Sequence, residues 1–211
     1  MAWTYGQYIW NYLMQPDKIQ NEYGVAGLMG NLVAESGLLP FRLQGDMDSA
    51  HDYPASQEYT ADVNDGTISE YTFVNDYKGY GLAQWTIPPR KQGLYNYTRG
   101  NNLSVSDIEA QLDFLWHELE TDYFSVLRTL VLATSIREAS DVVLHDFENP
   151  QVQTEAVEIY RANLGIEVYN TYSGQPPEPP IPPVPPTPTR KGMPLYFYMG
   201  KRFKRKKGLI Q

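Results

Sequence analysis

The stretch Gly24-Val25-Ala26-Gly27-Leu28-Met29-Gly30-Asn31-Leu32-Val33-Ala34-Glu35-Ser36-Gly37 is mostly small or apolar and predicts a closely packed helix. Leu28, Leu32 and Glu35 follow at i, i+4 and i+7, so they share one stripe of that helix. A carboxylate on a buried stripe is costly unless it is paired, hydrogen-bonded or protonated. Gly37 is the expected stop. Glu35 is therefore either a general acid at a helix end or an edge glutamate that points to water.

Composition excludes several classes of site. The 211 residues suffice for one globular domain with an appendage. The chain has no cysteine, which excludes disulfides and cysteine nucleophiles, and its three histidines form no zinc-binding pattern. We therefore expect no metal and no cofactor. No signal peptide and no membrane span of roughly 18 apolar residues is expected either.

The net charge of −8 combines two unlike parts. Residues 190–211 hold eight basic side chains and no acidic ones, which leaves 9 Lys and Arg against 25 Asp and Glu elsewhere. An acidic body is a poor binder of nucleic acid, so no nucleic-acid partner is expected. The basic tail is expected to dock on a partner, an anionic envelope polymer or a membrane surface, or to remain solvated.

The chain divides into three segments. Residues 1–173 form the folded domain, 174–189 a Pro-rich linker, and 190–211 a basic aromatic tail. The linker predicts a stiff polyproline II spacer about 40 Å long at about 3.1 Å per residue, although an SH3 or WW ligand has the same composition. Helices are expected at residues of about 4–15, 22–36, 88–99 and 123–133. Two more are expected to begin at capping residues, one from a Ser106 capping box to Leu119 and one from a Ser135 cap to Pro150. A last helix is expected from residue 153 into the 160s, where Gly165 ends or bends it.

Residues 58–74 are predicted to form a β-hairpin. Tyr59, Ala61 and Val63 alternate, Asp65-Gly66 is a turn signal, and residues 67–74 are rich in β-branched and aromatic side chains. One hairpin inserted among six or seven helices gives an α+β domain that is mainly α, with a cleft between two lobes that suits a long polymer.

A second informative stretch runs from Phe73 to Thr86. Gly79 and Gly81 flank Tyr80 and let the backbone come close to a ligand. An amide at Gln84 and aromatic faces at Tyr77, Tyr80 and Trp85 suit a sugar chain, and Asp76 is placed to face Glu35. Two carboxyls flanking a glycosidic bond are the minimum for glycoside hydrolysis. The alternative is a glycine-rich connection whose aromatic residues belong to the core.

Together, Ala34-Glu35-Ser36-Gly37 and Gly79-Tyr80-Gly81-Leu82-Ala83-Gln84-Trp85 resemble the lysozyme-like superfamily, and within it the phage tail-tip lysozyme family of peptidoglycan hydrolases. The resemblance covers about residues 8–172. It continues through Arg90-Lys91, residues 111–115, residues 137–143 and Phe147-Glu148-Asn149-Pro150. It implies a lysozyme-like two-lobed domain ahead of the Pro-rich spacer and tail. Two departures are Pro88-Pro89 and Asn149, where an arginine often stands.

The resemblance implies a catalytic acid at Glu35 and, at the matching aspartate position, a second catalytic carboxyl at Asp76. Glu148 is expected to be structural, as a partner for a backbone amide or for Arg161. The expected substrate-binding residues are Asn75, Tyr80, Gln84, Trp85 and Arg90.

The expected function is hydrolysis of the β-1,4 bonds between N-acetylmuramic acid and N-acetylglucosamine in bacterial peptidoglycan. One alternative is a lytic transglycosylase, which uses a single carboxyl and gives 1,6-anhydro products. Another is a non-catalytic wall-binding module of the virion. The expected location is the phage tail, or the host cytoplasm before lysis, and the C-terminal tail is a candidate contact with other phage tail proteins.

Overall fold

A computed structural model describes residues 3–46 and 53–184. This part of the chain is mainly helical, as predicted. The α-helices are α1 (Gly6–Leu13), α2 (Glu22–Ser36), α3 (Pro54–Asp65), α4 (Glu70–Asn75), α5 (Pro88–Thr98), α6 (Ile108–Thr121), α7 (Phe124–Leu132), α8 (Ile136–Val142) and α9 (Glu155–Tyr172). A short 3₁₀ turn (Arg99–Asn101) follows α5, and a π-helical turn (Val143–Glu148) follows α8.

The predicted β-hairpin over residues 58–74 is wrong, because this segment forms α3 and α4. The buried side chains Ser56, Tyr59, Thr60 and Val63 recur at i, i+3, i+4 and i+7, which is the helical period. The alternation of Tyr59, Ala61 and Val63 masked that period. The predicted turn at Asp65-Gly66 does coincide with the end of a helix, since Gly66 caps the C-terminus of α3 with a φ of 88°.

Most of the predicted helices are confirmed, with two changes at their ends. The cap of α6 is Asp107, whose side chain accepts from the Ala110 N–H, and not Ser106. Gly165 does not end the last helix, because α9 continues to Tyr172. The Ser135 cap is confirmed by a hydrogen bond from the Glu138 N–H to the Ser135 hydroxyl.

The predicted close packing of α2 is confirmed. A Cβ atom on Gly30 would lie 2.4 Å from the backbone nitrogen of Gly165, and one on Gly27 would lie 2.4 Å from the Cβ of Ala139. Contacts this short leave no room for a side chain, so α9 and α8 lie directly on the α2 backbone. The buried helix α2 is therefore the centre of a group formed with α7, α8 and α9.

The loop before α5 is fixed by isolated bridges and by α6. Tyr80 forms antiparallel bridges with Leu43 and with Trp85. The buried amide of Gln111 accepts from the Leu82 N–H and donates to the carbonyl of Pro40. These contacts hold the segments around residues 40–45 and 80–87 side by side, opposite the end of α2.

The first part of the predicted linker lies along α9. The side-chain amide of Asn170 donates to the Glu178 carbonyl (3.0 Å) and accepts from its N–H (2.7 Å). Asn163 makes the same pair with Ile181 (3.0 and 2.7 Å). The spacing of these contacts is consistent, because Asn163 and Asn170 are seven residues apart on an α-helix while their partners are three residues apart in the linker. Seven residues of α-helix and three of polyproline II both span roughly 10 Å. The linker beyond residue 184 and the tail 190–211 lie outside the described residues.

No helix in the described parts of the chain is long and apolar enough to cross a membrane.

We predict that the double substitution Asn163→Ala and Asn170→Ala releases the segment around residues 178–181. Four hydrogen bonds are lost, each with a net contribution of about 0.5–1.5 kcal/mol, and part of the loss is offset by the freed chain entropy. The free energy of unfolding, measured in urea, should fall by about 1–3 kcal/mol.

The matched control is the same double substitution in a chain that ends at residue 173, where it should have little effect. Equal stability of the full-length variant and the unchanged chain would contradict the docking.

Candidate active site

A cleft of about 560 Å³ lies at the C-terminal end of α2. It is formed by the end of α2, the loops around residues 42–45 and 83–87, the start of α5, and the segment after α8. Among the described residues, no group of three His, Asp or Glu side chains is arranged to hold a metal ion. The cleft is lined by Glu35, Arg42, Gln44, Gly45, Ala83, Gln84, Thr86, Ile87, Arg90, Tyr123, Phe147, Glu148, Asn149 and Pro150.

Glu35 is the penultimate residue of α2, and its side chain is 20% exposed. Its Oε1 accepts a hydrogen bond of 2.5 Å from Nη2 of Arg161 on α9. Its Oε2 accepts none from any described residue. One oxygen is therefore held by the protein, while the other is left to the cleft.

Arg161 fixes the position of the Glu35 carboxyl. Its Nη1 donates to Oδ1 of Asn31 at 3.1 Å, while its Nη2 donates to Glu35. Asn31 is held in turn, because its amide donates to the carbonyls of Gly27 and Ser140. Asn31 and Glu35 are one helical turn apart, so a single planar guanidinium spans both. Charge-assisted bonds of this kind orient a side chain strongly.

Glu148 is a second carboxyl of this cleft. Its Oε1 is buried and has no hydrogen-bond partner among the described residues, so the expected bond from Arg161 or a backbone amide to this oxygen is not formed. Burial raises the pKa of Glu148 to about 8, and the nearby charge of Glu35 adds to this effect. At neutral pH this carboxyl is therefore predominantly protonated.

Arg90 forms part of the cleft wall and is held by Glu118. Its Nε and Nη2 donate to the two Glu118 oxygens at 2.6 and 2.9 Å. The Trp85 indole N–H donates to the same carboxylate at 2.8 Å. The Arg90 guanidinium also lies 4.6 Å from the centre of the Phe147 ring. The bidentate pair and the ring fix Arg90 at the cleft.

The structure places only some of the residues predicted to bind sugar in the cleft. Gln84 lies in the cleft with Arg90, where its amide donates to the carbonyls of Arg42 and Gly81. Tyr80 and Trp85 are fully buried in the core. Asn75 donates to the carbonyl one turn back on α4, and it is not among the residues that line the cleft.

Asp76 lies outside the cleft lining, next to the buried ammonium of Lys91. It accepts hydrogen bonds from Lys91, from the Tyr59 hydroxyl and from the Lys78 N–H. Burial lowers the pKa of Lys91, and the charge of Asp76 opposes that shift. Asp76 is thus the counter-charge of a lysine whose side chain has no exposed surface.

Arg42 is a cleft residue that the sequence did not indicate. Its Nη1 is buried without a hydrogen-bond partner among the described residues, and its guanidinium lies 3.8 Å from the centre of the Tyr53 ring. The residue lies in an irregular segment, where no periodic pattern marks it. Tyr123 was also missed, whereas Phe147 and Glu148 belong to a stretch that carried the family resemblance.

Comparison with known proteins supports a lysozyme. A family model described as phage tail lysozyme matches residues 5–172, which confirms the resemblance seen in the sequence. No curated protein and no solved structure matches the chain. The family indicates a peptidoglycan-lytic function of the lysozyme type and a phage tail location, from which the enzyme acts on the cell wall. Because the match extends from before α1 to the end of α9, the chain belongs to the phage tail lysozyme family.

Proposed function

We propose that this protein hydrolyses the β-1,4 glycosidic bonds between N-acetylmuramic acid and N-acetylglucosamine in peptidoglycan, with Glu35 as the catalytic acid. The observation that carries the proposal is the Glu35 carboxyl itself. It lies at the end of a buried helix, with one oxygen bound by Arg161 and the other left to a cleft of about 560 Å³. Glycosidases place a carboxyl in this way to protonate the leaving oxygen.

Cleavage requires a proton donor fixed against the glycosidic oxygen. Arg161 and Asn31 restrict the rotation of the Glu35 side chain, which reduces the entropy lost in reaching the reactive geometry. Water then adds to the sugar carbon as the bond to the leaving oxygen breaks. The side chains of Gln84 and Arg42 also line this cleft and add polar groups to its wall.

The enzyme is proposed to act from the phage tail, with bacterial peptidoglycan as its substrate. Contact with other tail proteins through residues 190–211 is a further proposal that rests on the basic and aromatic composition of that segment. Release from the host cytoplasm before lysis is the alternative route to the same substrate.

We predict that Glu35→Gln lowers the rate of cell-wall lysis by at least about 10²-fold, because the amide cannot donate an acidic proton. Lysis is measured as the loss of turbidity of a wall suspension and as the release of reducing sugars. Circular dichroism should remain that of the unchanged protein. Glu58→Gln, at an exposed position on α3, is the matched control and should be fully active. Near-normal lysis by Glu35→Gln would overturn the assignment.

A lytic transglycosylase is the second candidate, and the position of Asp76 favours it. Such an enzyme needs no water-activating aspartate, and Asp76 is engaged with Lys91 and Tyr59 outside the cleft lining. Mass spectrometry of the released muropeptides separates the two reactions. The hydrolase is expected to give ordinary reducing ends, whereas 1,6-anhydro ends, lighter by one water, would establish the transglycosylase.

We predict that Asp76→Asn mainly destabilises the fold, because it leaves the buried charge of Lys91 without its counter-charge. Breaking a buried ion pair costs about 3–5 kcal/mol, which urea unfolding would detect. The specific activity of the folded fraction should change little. Asp141→Asn, which removes a partly exposed pair with Arg137, is the control and should cost less than about 1 kcal/mol.

The sequence-based role of Asp76 in activating water makes the opposite prediction for the same variant. A normally stable Asp76→Asn protein that has lost its activity would support that role.

A further inference from the structure

Two buried polar atoms in the Glu35 cleft have no hydrogen-bond partner among the described residues. Among the described residues, three buried side-chain nitrogen or oxygen atoms lack a hydrogen bond, namely Arg42 Nη1, Arg99 Nε and Glu148 Oε1. The residues that carry the first and the last of these atoms line the cleft with Glu35. Folded proteins leave few such atoms, and each calls for an explanation, of which a catalytic role is one.

We propose that Glu148 is the second carboxyl of the active site and forms a catalytic pair with Glu35. The inference rests on the proposed glycosidase function and adds a residue to it. Both side chains line the same cleft, although the two residues are far apart in the sequence.

The charged groups around Glu148 come from four helices. Glu35 of α2 and Glu118 of α6 disfavour a second negative charge, while Arg90 of α5 and Arg161 of α9 favour it. Both cations are already engaged by other carboxylates. Burial therefore dominates at Glu148, and its raised pKa of about 8 follows from this geometry.

The two carboxyls have different surroundings, although they share a cleft. Arg161 donates directly to Glu35, whereas no described residue donates to Oε1 of Glu148. At neutral pH Glu148 therefore carries a proton. Different surroundings let two carboxyls of one site divide the acid and base roles between them.

The pair accounts for both halves of the hydrolysis. Its proton passes to the glycosidic oxygen through Glu35 as the bond from that oxygen to the sugar carbon breaks. The two carboxylates then face the positive charge that develops on the sugar carbon, which they stabilise. A water oxygen bonds to that carbon, and the proton that this water releases returns to the pair. The enzyme ends with the single proton with which it began.

The test is Glu148→Gln, which keeps the shape of the side chain and removes its acid. At pH 7, kcat/KM for peptidoglycan fragments should fall by about 10²-fold or more, mainly through kcat. In the unchanged enzyme kcat/KM should decline above a pH of about 8, where Glu148 loses its proton. In the variant the decline above this pH should be lost, because the carboxyl that titrates there is gone.

Asp146→Asn, at an exposed position in the same turn, is the matched control and should keep both the rate and the pH profile. An unchanged pH profile in a folded Glu148→Gln protein would overturn the pair. If Glu35→Gln abolishes lysis while Glu148→Gln does not lower it, only the pair fails and the proposed function stands.

A measurement on the unchanged protein covers the case in which Glu148→Gln does not fold. With ¹³C-labelled glutamate carboxyls, one resonance should titrate at a pH of about 8, and its midpoint should move to lower pH in Glu35→Gln, where the neighbouring charge is gone. Titration of every glutamate carboxyl below pH 6 would contradict the proposal.

Discussion

The close contact between α2 and α9 is the constraint on which the site depends. Gly30 and Gly165 meet backbone to backbone, and a Cβ on either would lie within 3 Å of the opposite helix. Arg161 is one turn before Gly165, so the same contact brings its guanidinium to Asn31 and Glu35. The helix that carries the proposed catalytic carboxyl is thus held by the contact that also centres the fold.

The cations nearest to Glu148 are engaged by other carboxylates. Arg161 is paired with Glu35, and Arg90 with Glu118. These pairs engage Arg90 and Arg161, the two cations that act on Glu148, and no described residue donates to the buried Oε1 of Glu148. An anionic group in that position would be costly, so the carboxyl keeps its proton.

The sequence predicted the features that depend on local pattern. The bounds of α2, its stop at Gly37 and the position of Glu35 follow from helical period and a glycine signal. The hairpin prediction failed because a short apolar run is compatible with both the strand period and the helical period. In the structure Tyr59 and Val63 are buried on one face of a helix. The aromatic residues beside Gly79 and Gly81 fitted both a sugar-binding wall and a core, and the structure places Tyr80 and Trp85 in the core. The partner of Glu35 is 126 residues away, a distance at which no spacing rule applies.

The most direct test of the account is a crystal structure of Glu35→Gln with a bound peptidoglycan oligosaccharide. The account predicts that the sugar chain crosses the cleft, with a glycosidic oxygen within hydrogen-bonding distance of residue 35 and a sugar in contact with Glu148 and Gln84. A sugar chain bound away from the end of α2, against Asp76 and Asn75, would contradict it.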